Sequence, residues 1–430
     1  MNDTSRPTVI AIWIRNLLLL YVLASNALIS FERGRQPSRY DFKHFYLDAA
    51  YVWQHGALNP DLDGPDIDAR RQLPFYLPAV SVAIAPISFA GREIAAAIWA
   101  ALQTVSLGYC LLVLRRWCET GRDARHAAMT TSTLILLALP ALYEASKFNQ
   151  VSYFTLALLL AFFTAIERNS QIRAGLWLAA ATVLKILPAL IALWLILRKQ
   201  IKVGAAFAVG VITMSLLPSL LAFGFARTAA YHQEWWAYNV ADAGPRKWME
   251  QEEWGPHSAH FVDRRNQSVH AVVGRMFWAE HRFPAEWQPA HFSAERCILL
   301  ANAILFALLA GLVALTWQMR KVPDSDHWRT RAELSIFAIG LLVLAPLSRM
   351  YYLVWALPAL ALLLRAATEV RRTAGMGWAR AGVLIWLIGM IAWTSRHARE
   401  FGVHTVMLVL MVVCLWRVVN SVRHHLIAVK

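Results

Sequence analysis

The chain has 430 residues, 58% of them hydrophobic and only 16% charged, with 42 Lys and Arg against 27 Asp and Glu. A soluble domain carries about 25% charge, so this composition excludes an ordinary water-soluble fold. The formal charge of +15 does not argue for nucleic acid, because most of the arginines flank hydrophobic runs, as topogenic charge does.

The chain opens with a polar, uncleaved-looking stretch, Met1–Thr8, followed by the apolar run Val9–Ile29, long for a signal sequence and without a small-residue cleavage site. It reads as a first span. Since a span needs about 20 apolar residues, further candidates are 94–114, 127–143, 151–166, 203–223, 297–317, 334–348, 351–365, 381–395 and 403–420. Run 174–197 is interrupted by Lys185 and Pro188, and a lysine deep in lipid is costly. Two short helices that lift Lys185 to the far surface are therefore expected. Segment 76–90 is expected to dip without crossing. The fold class is thus an all-α polytopic membrane protein of about 12 segments, with 1–430 as a single integral membrane domain.

Charge orients this chain. Arg115, Arg116, Arg122 and Arg125 share one short loop, and Arg198, Lys199 and Lys202 another. Arg320, Lys321, Arg329 and Arg331 form a third cluster, and Arg365, Arg371, Arg372 and Arg380 a fourth. The opposite turns carry little, namely Lys147, Lys185, Arg349, and Arg396 with Arg399. The positive-inside rule then puts both termini in the cytoplasm and both long polar loops, 31–75 and 224–296, outside. The polar chemistry collects on the external face of a cell membrane.

In the first external loop, Phe42, Phe45, Tyr46 and Ala49 recur at helical spacing, which predicts an amphipathic helix along the membrane surface. Asp41 sits at its start, where an aspartate in isolation reads as an N-cap. The second loop holds Trp235, Trp236, Tyr238, Trp248 and Trp254, then Arg264, Arg265, Asn266, Gln267, Ser268 and Arg275. Such aromatics stack on sugars or form an interfacial belt, the belt being the commoner use. The arginines suit a phosphate or face anionic lipid. His44, His55, His257, His260, His270, His281 and His291 are scattered, and the i, i+3 pair His257 and His260 lacks a third ligand in an established spacing. Cys110, Cys118, Cys297 and Cys414 lie in or beside apolar runs with no CxxC spacing, so neither a disulfide framework nor a metal site is expected. No Walker loop, GxGxxG or GxSxG element occurs.

Read in order, several short motifs resemble glycosyltransferase family 87, the polyprenyl-phosphate-mannose-dependent mannosyltransferases of the GT-C superfamily. They are Asp41-Phe42 with Tyr46 and Gly56, Phe75-Tyr76-Leu77-Pro78 with Pro86, and Asn149-Gln150. After these come Gly175 through Lys185 and Pro188, Asn266-Gln267-Ser268 with Arg275, and Pro346-Leu347-Ser348. The resemblance spans about residues 8–366. Leu77 stands where the family tends to have a second proline and Asn149 where glycine is common. Arg349, Tyr351 and Tyr352 occupy a turn where Trp and His are frequent.

The resemblance implies a GT-C-like bundle with two long external loops. It implies transfer of a sugar, with mannose the expected one, from a polyprenyl-phosphate donor to a glycan or glycolipid acceptor at the outer face. Asp41 matches the family's catalytic base, with Asp48 in reserve. Lys185, Arg275 and Arg349 would contact the lipid phosphate, Gln150, Asn266 and Gln267 the sugar hydroxyls, and Tyr46 and Tyr351 the substrate. No metal or other cofactor is required. A lipid-linked-sugar flippase or transporter would show paired repeats and charged mid-membrane helices, and an O-antigen-ligase-like enzyme would depend on external Arg and His. Neither alternative needs Asp41.

Overall fold

A computed structural model of the chain describes residues 5–36, 41–58, 76–237, 264–278, 288–369 and 375–428. Phe75, Tyr238, Trp248, Trp254, His257, His260, His281, Arg371 and Arg372, singled out above, lie outside them. The described residues are helical, with no strand beyond a single bridge between Trp278 and Phe292. Among the described residues, eight helices are long and apolar enough to cross a membrane: Pro7–Gly34, Arg92–Glu119, Ala124–Phe148, Ile201–Trp236, Ala294–Met319, Met350–Ala367, Gly375–Ala392 and Val403–Ser421. Pro78–Ala90, Ser152–Glu167, Gln171–Leu184 and Leu187–Leu197 are shorter apolar helices. This is an all-α polytopic membrane protein. The backbone groups of so apolar a chain must be satisfied within each segment, and a helix does that.

The chain divides into two compact units: one of residues 20–112 and 142–244, the other of 1–19, 113–141 and 245–430. In the first, α1 (Ser5–Gly34) ends near the N-terminus of α2 (Phe42–His55). Next in chain order come α3 (Pro78–Ile84), α4 (Arg92–Glu119), α5 (Ala124–Phe148), α6 (Ser152–Glu167), α7 (Gln171–Leu184), α8 (Ile191–Leu197) and α9 (Ile201–Trp236), of which residues 113–141 of α4 and α5, like residues 5–19 of α1, belong to the other unit.

Helix α2 forms where the spacing predicts it. Its apolar face is covered by protein, not by the membrane surface: Phe42, Phe45 and Ala49 are buried with Val80, Ile84, Ala95, Ala96, Trp99 and Val151. Aromatic rings this large bury most area against other rings, and Phe45 stacks on Trp99 at 5.1 Å between centroids. Between α2 and α4, the 76–90 segment folds as α3 followed by a 3-10 turn, Ala85–Ala90. A helix of this length rises about 10 Å, a third of the apolar core of a bilayer.

The 174–197 run is broken as its sequence demands. Helix α7 stops at Leu184, Lys185 is extended (φ −154°, ψ 125°), and Pro188 lies in a short 3-10 turn before α8. Helix α7 also packs very closely on α9. A Cβ added at Gly175 would come within 2.6 Å of Ala206 Cβ and of the Val203 carbonyl, and one at Gly210 within 2.7 Å of Ala179 Cβ. Small residues that let two backbones approach are the usual means of joining helices in lipid, and this seam fixes the helix that leads to Lys185.

In the other unit, α10 (Val269–Phe277) precedes α11 (Ala294–Met319), α12 (Trp328–Leu344), α13 (Leu357–Ala367), α14 (Gly375–Ala392), α15 (Arg396–Glu400) and α16 (Val403–Ala428). Helices α12 and α13 are buried along most of their length, which suits their all-round apolar sequence. Gly382 and Gly389 of α14 lie against Cys414 and Met407 of α16, where a Cβ would come within 3.1 Å and 2.3 Å of those side chains.

Candidate active site

In the unit of residues 20–112 and 142–244, the site begins with Asp41. It occupies the N-cap position of α2, yet its side chain caps nothing. Instead its carboxylate accepts a hydrogen bond from the Gln150 amide nitrogen, while its backbone N–H donates to the Phe148 carbonyl at 3.2 Å. The Tyr76 hydroxyl donates to the Gln150 amide oxygen at 3.1 Å. The acceptor-only carboxylate requires the amide NH2 on its side, which leaves the amide oxygen to the tyrosine hydroxyl. The Tyr76 ring lies 4.6 Å from that of Phe45, so the apolar face of α2 sets the tyrosine that sets the glutamine.

The Asn149-Gln150 turn is itself held from two sides. Asn149 is at φ +58°, in the left-handed region open to Gly and, among other residues, most readily to Asn. Gln103, fully buried in the long apolar helix α4, donates to Asn149 Oδ1 at 3.0 Å and to the Gln150 carbonyl at 3.1 Å. Asn149 Nδ2 in turn donates to the Ser30 carbonyl at 2.9 Å. The asparagine that replaces glycine therefore keeps the backbone shape and adds two hydrogen bonds.

Lys185 lies at the break between α7 and the next turn, outside the eight long spans. Loss of water lowers its amine to about 7, and the negative charge of Asp41 acts in the opposite sense. Tyr46 is half-buried, with the Arg92 guanidinium 5.4 Å from its ring centre. Asp48, two turns along α2, has its carboxyl pushed up to about 7 by desolvation.

In the other unit, two of the sequence motifs are mated. Asn266 Oδ1 accepts from the Ser348 backbone N–H at 3.0 Å and from that of Ser268 at 3.1 Å. The Gln267 N–H donates to the Ser348 carbonyl at 2.6 Å. The Gln267 side chain donates to the Arg264 and Arg399 carbonyls at 2.7 and 2.8 Å and accepts from the His404 N–H at 3.3 Å. Ser268 caps α10 through Ala271 N–H. Arg275 is fully buried, donating to the carbonyls of Asn266, Arg399 and Glu400 and pairing with the Glu400 carboxylate at 3.4 Å. Asn266, Gln267 and Arg275 thus act on the Pro346-Leu347-Ser348 turn and the 399–405 segment. Directly after that turn, Arg349 is half-buried, and its Nε is buried with no hydrogen-bond partner. Tyr351 is buried, its ring 4.4 Å from that of Tyr352.

Gln103, the Asn149 side chain, the Tyr76 hydroxyl, Glu400 and His404 take their places through contacts that no sequence motif marks. Only Gln103 had left a signal, as a lone amide within a long apolar run. Among the described residues no group of three or more His, Cys, Asp or Glu is arranged to hold a metal ion.

Comparison with curated proteins and with solved structures gives no match. The sequence does match the family model described as glycosyltransferase family 87 over residues 75–346. That stretch carries Tyr76, Asn149-Gln150, Gly175 to Lys185 and Asn266-Gln267-Ser268 with Arg275, ends at Pro346, and covers well over half of the chain: this membrane protein belongs to glycosyltransferase family 87.

Proposed function

We propose that this membrane glycosyltransferase moves a sugar, mannose by its resemblance, from a polyprenyl-phosphate donor to a glycan or glycolipid acceptor at the outer face of the cell membrane. The observation that carries the reading is Asp41: a carboxylate at a helix start, relieved of capping and oriented by Gln150. Asp41 takes the proton of an acceptor hydroxyl. That oxygen bonds to the anomeric carbon from the face opposite the phosphate, the bond to the phosphate oxygen breaks, and polyprenyl phosphate leaves with the electron pair. The configuration inverts. A phosphate is already a stabilised leaving group, so a base and a cation suffice and no metal is called for.

Lys185, whose charge interacts with Asp41, is assigned to the lipid phosphate, and Gln150 and Tyr46 to the sugar. In the other unit, Arg349 is assigned to an anionic group of substrate, because its buried Nε has a donor to offer, with Tyr351 beside it in sequence. Asn266, Gln267 and Arg275 support that assignment by shaping the turn, their donors being engaged by backbone carbonyls. The basic short loops favour cytoplasmic termini and an external site.

The test is incubation of purified protein with polyprenyl-phosphate mannose and a panel of membrane-glycan acceptors, with and without EDTA. Metal-resistant transfer that depends on Asp41 is the expected result. Transfer unaffected by Asp41→Asn supports a ligase-like enzyme, and loss of transfer to EDTA overturns the metal-free mechanism.

A further inference from the structure

Helix α2 has three faces. Phe42, Phe45, Ala49 and Val52 are buried. On another side Trp53 is 54% exposed, its ring 6.2 Å from that of Phe89, itself 64% exposed. Along the third run Asp41, His44, Asp48, Tyr51 and His55, at i, i+3, i+7, i+10 and i+14, a spacing that keeps side chains on one stripe of a helix. The stripe starts at the proposed base, is half-buried as far as Tyr51, and is exposed at His55. The helix ends at Gly56, whose left-handed φ of 57° turns the chain away, and beyond it the Leu58 N–H donates to the Tyr231 hydroxyl at 3.3 Å.

Nothing in the proposed reaction uses this stripe beyond its first residue. Its middle member, Asp48, makes no hydrogen bond or ion pair to a described residue, and burial alone raises its pKa to about 7. A half-buried carboxyl left without a partner is unfavourable and marks a place where a polar ligand belongs. Tyr51 and His55 form a flat platform, with centroids 4.2 Å apart and rings 25° from parallel.

The chemistry selects the ligand. Asp41 and Asp48 are separated by about 10 Å of helix rise, too far to share a cation, whose oxygen ligands lie within about 2.6 Å. Two carboxyl groups disfavour an anionic polymer, and the alternation of carboxyl and imidazole disfavours a lipid tail. Carboxyl groups that bridge paired hydroxyls, followed by an aromatic platform for a ring face, suit a neutral polyhydroxylated chain.

We propose that the α2 stripe is an acceptor groove for an oligosaccharide, holding the sugars behind the one whose hydroxyl faces Asp41. Its catalytic meaning rests on the proposed function, while the groove itself is read by binding without a donor. The experiment titrates the full-length detergent-solubilised protein with ladders of α-linked manno-oligosaccharides and β-linked gluco-oligosaccharides of one to four residues. The same ladders serve separately as acceptors with polyprenyl-phosphate mannose.

Affinity should rise at least tenfold from one residue to three for one ladder. Tyr51→Ala and His55→Ala should remove that rise while leaving transfer to a single-residue acceptor unchanged. Trp53→Ala, on another face, should keep it. Transfer that occurs with no gain in affinity along either ladder overturns the groove and leaves the transferase reading standing. A length-dependent affinity lost in Tyr51→Ala, but with no transfer to any acceptor, sinks the proposed reaction and keeps the groove. A gain that survives both Tyr51→Ala and His55→Ala also overturns it.

Discussion

The Gln150 amide donates to the Asp41 carboxylate, which leaves the first turn of α2 without a side-chain cap. A carboxylate at a helix start ordinarily accepts from the first free backbone N–H groups. Here it is turned to a partner more than a hundred residues away, and that partner is oriented in its turn by the Tyr76 hydroxyl. The consequences are open to measurement.

Asp41→Asn should lower kcat by about 10²–10⁴, the usual contribution of a general base. Expression and melting temperature should hold, because no cap is lost. Tyr76→Phe should act more weakly, by roughly fivefold, through the orientation of Gln150, since one neutral hydrogen bond is worth about 1 kcal/mol. Steady-state kinetics beside a thermal melt separate the two effects. Full activity in Asp41→Asn would remove Asp41 as the base, and Asp48→Asn would then decide between Asp48 as the base, if activity is lost, and a ligase-like enzyme, if it is kept.

Lys185 gives a pH signature whose sign can be worked out. Its folded value is lowered from 10.5 to about 7, so in the free enzyme its charge is lost as pH rises through neutrality. If it holds the donor phosphate, kcat/KM should fall above about pH 7, and Lys185→Arg should move that decline upward. Stability moves the other way. Between about 7 and 10.5 the unfolded chain binds the proton that the folded chain releases, so this group makes stability rise with pH across that window. A fall in kcat/KM accompanied by a falling melting temperature would count against the assignment.

At position 149 the backbone dictates the residue. Asn149→Gly should keep the turn, whereas Asn149→Ala should be less stable than the glycine variant by about 1–2 kcal/mol, since alanine keeps a Cβ at φ +58° without asparagine's tolerance of that region. Denaturant or thermal unfolding compares the two. Equal losses would mean that the two side-chain hydrogen bonds, not the left-handed turn, hold the site.

In the other unit, Asn266 and Arg349 should separate stability from binding. Asn266→Ala leaves the Ser348 and Ser268 N–H groups unsatisfied and should cost about 1–3 kcal/mol of stability. Arg349→Ala should leave the melting temperature unchanged and raise at least tenfold the KM of the substrate whose anionic group it meets. The reverse pattern would make Arg349 part of the scaffold.

The orientation is tested by labelling. A cysteine placed near Arg264 should react with an impermeant maleimide on intact cells, and one near Arg371 only after permeabilisation. Each basic residue near the cytoplasmic leaflet is favoured by about 1 kcal/mol, so inverting the Arg115, Arg320 and Arg371 clusters together is strongly opposed. A reversed pattern would expose Asp41 to nucleotide sugars and remove the physical reason for a lipid donor.

By itself the sequence determined the membrane class, the long spans and the break at Lys185. These follow from local quantities: the length of an apolar run, the expense of a charge in lipid and the geometry of proline. The order of the short motifs likewise pointed to the family, and Asp41, Gln150 and Lys185 were named from it. What those residues touch was decided only by tertiary structure. Whether Asp41 caps its own helix or meets Gln150 depends on Gln103, Tyr76 and Ser30, remote in sequence, converging on the 149–150 turn. Arg275 was a candidate for phosphate because an arginine in a polar loop looks available. Its burial against the 399–400 carbonyls comes from a turn beyond the matched motifs, and no local pattern encodes that partner. The apolar face of α2 was legible as a periodicity, but periodicity does not tell lipid from protein. That choice fell to Trp99 and Val80, which cover the face because burying aromatic surface against close-packed side chains gains dispersion contacts along with the hydrophobic term.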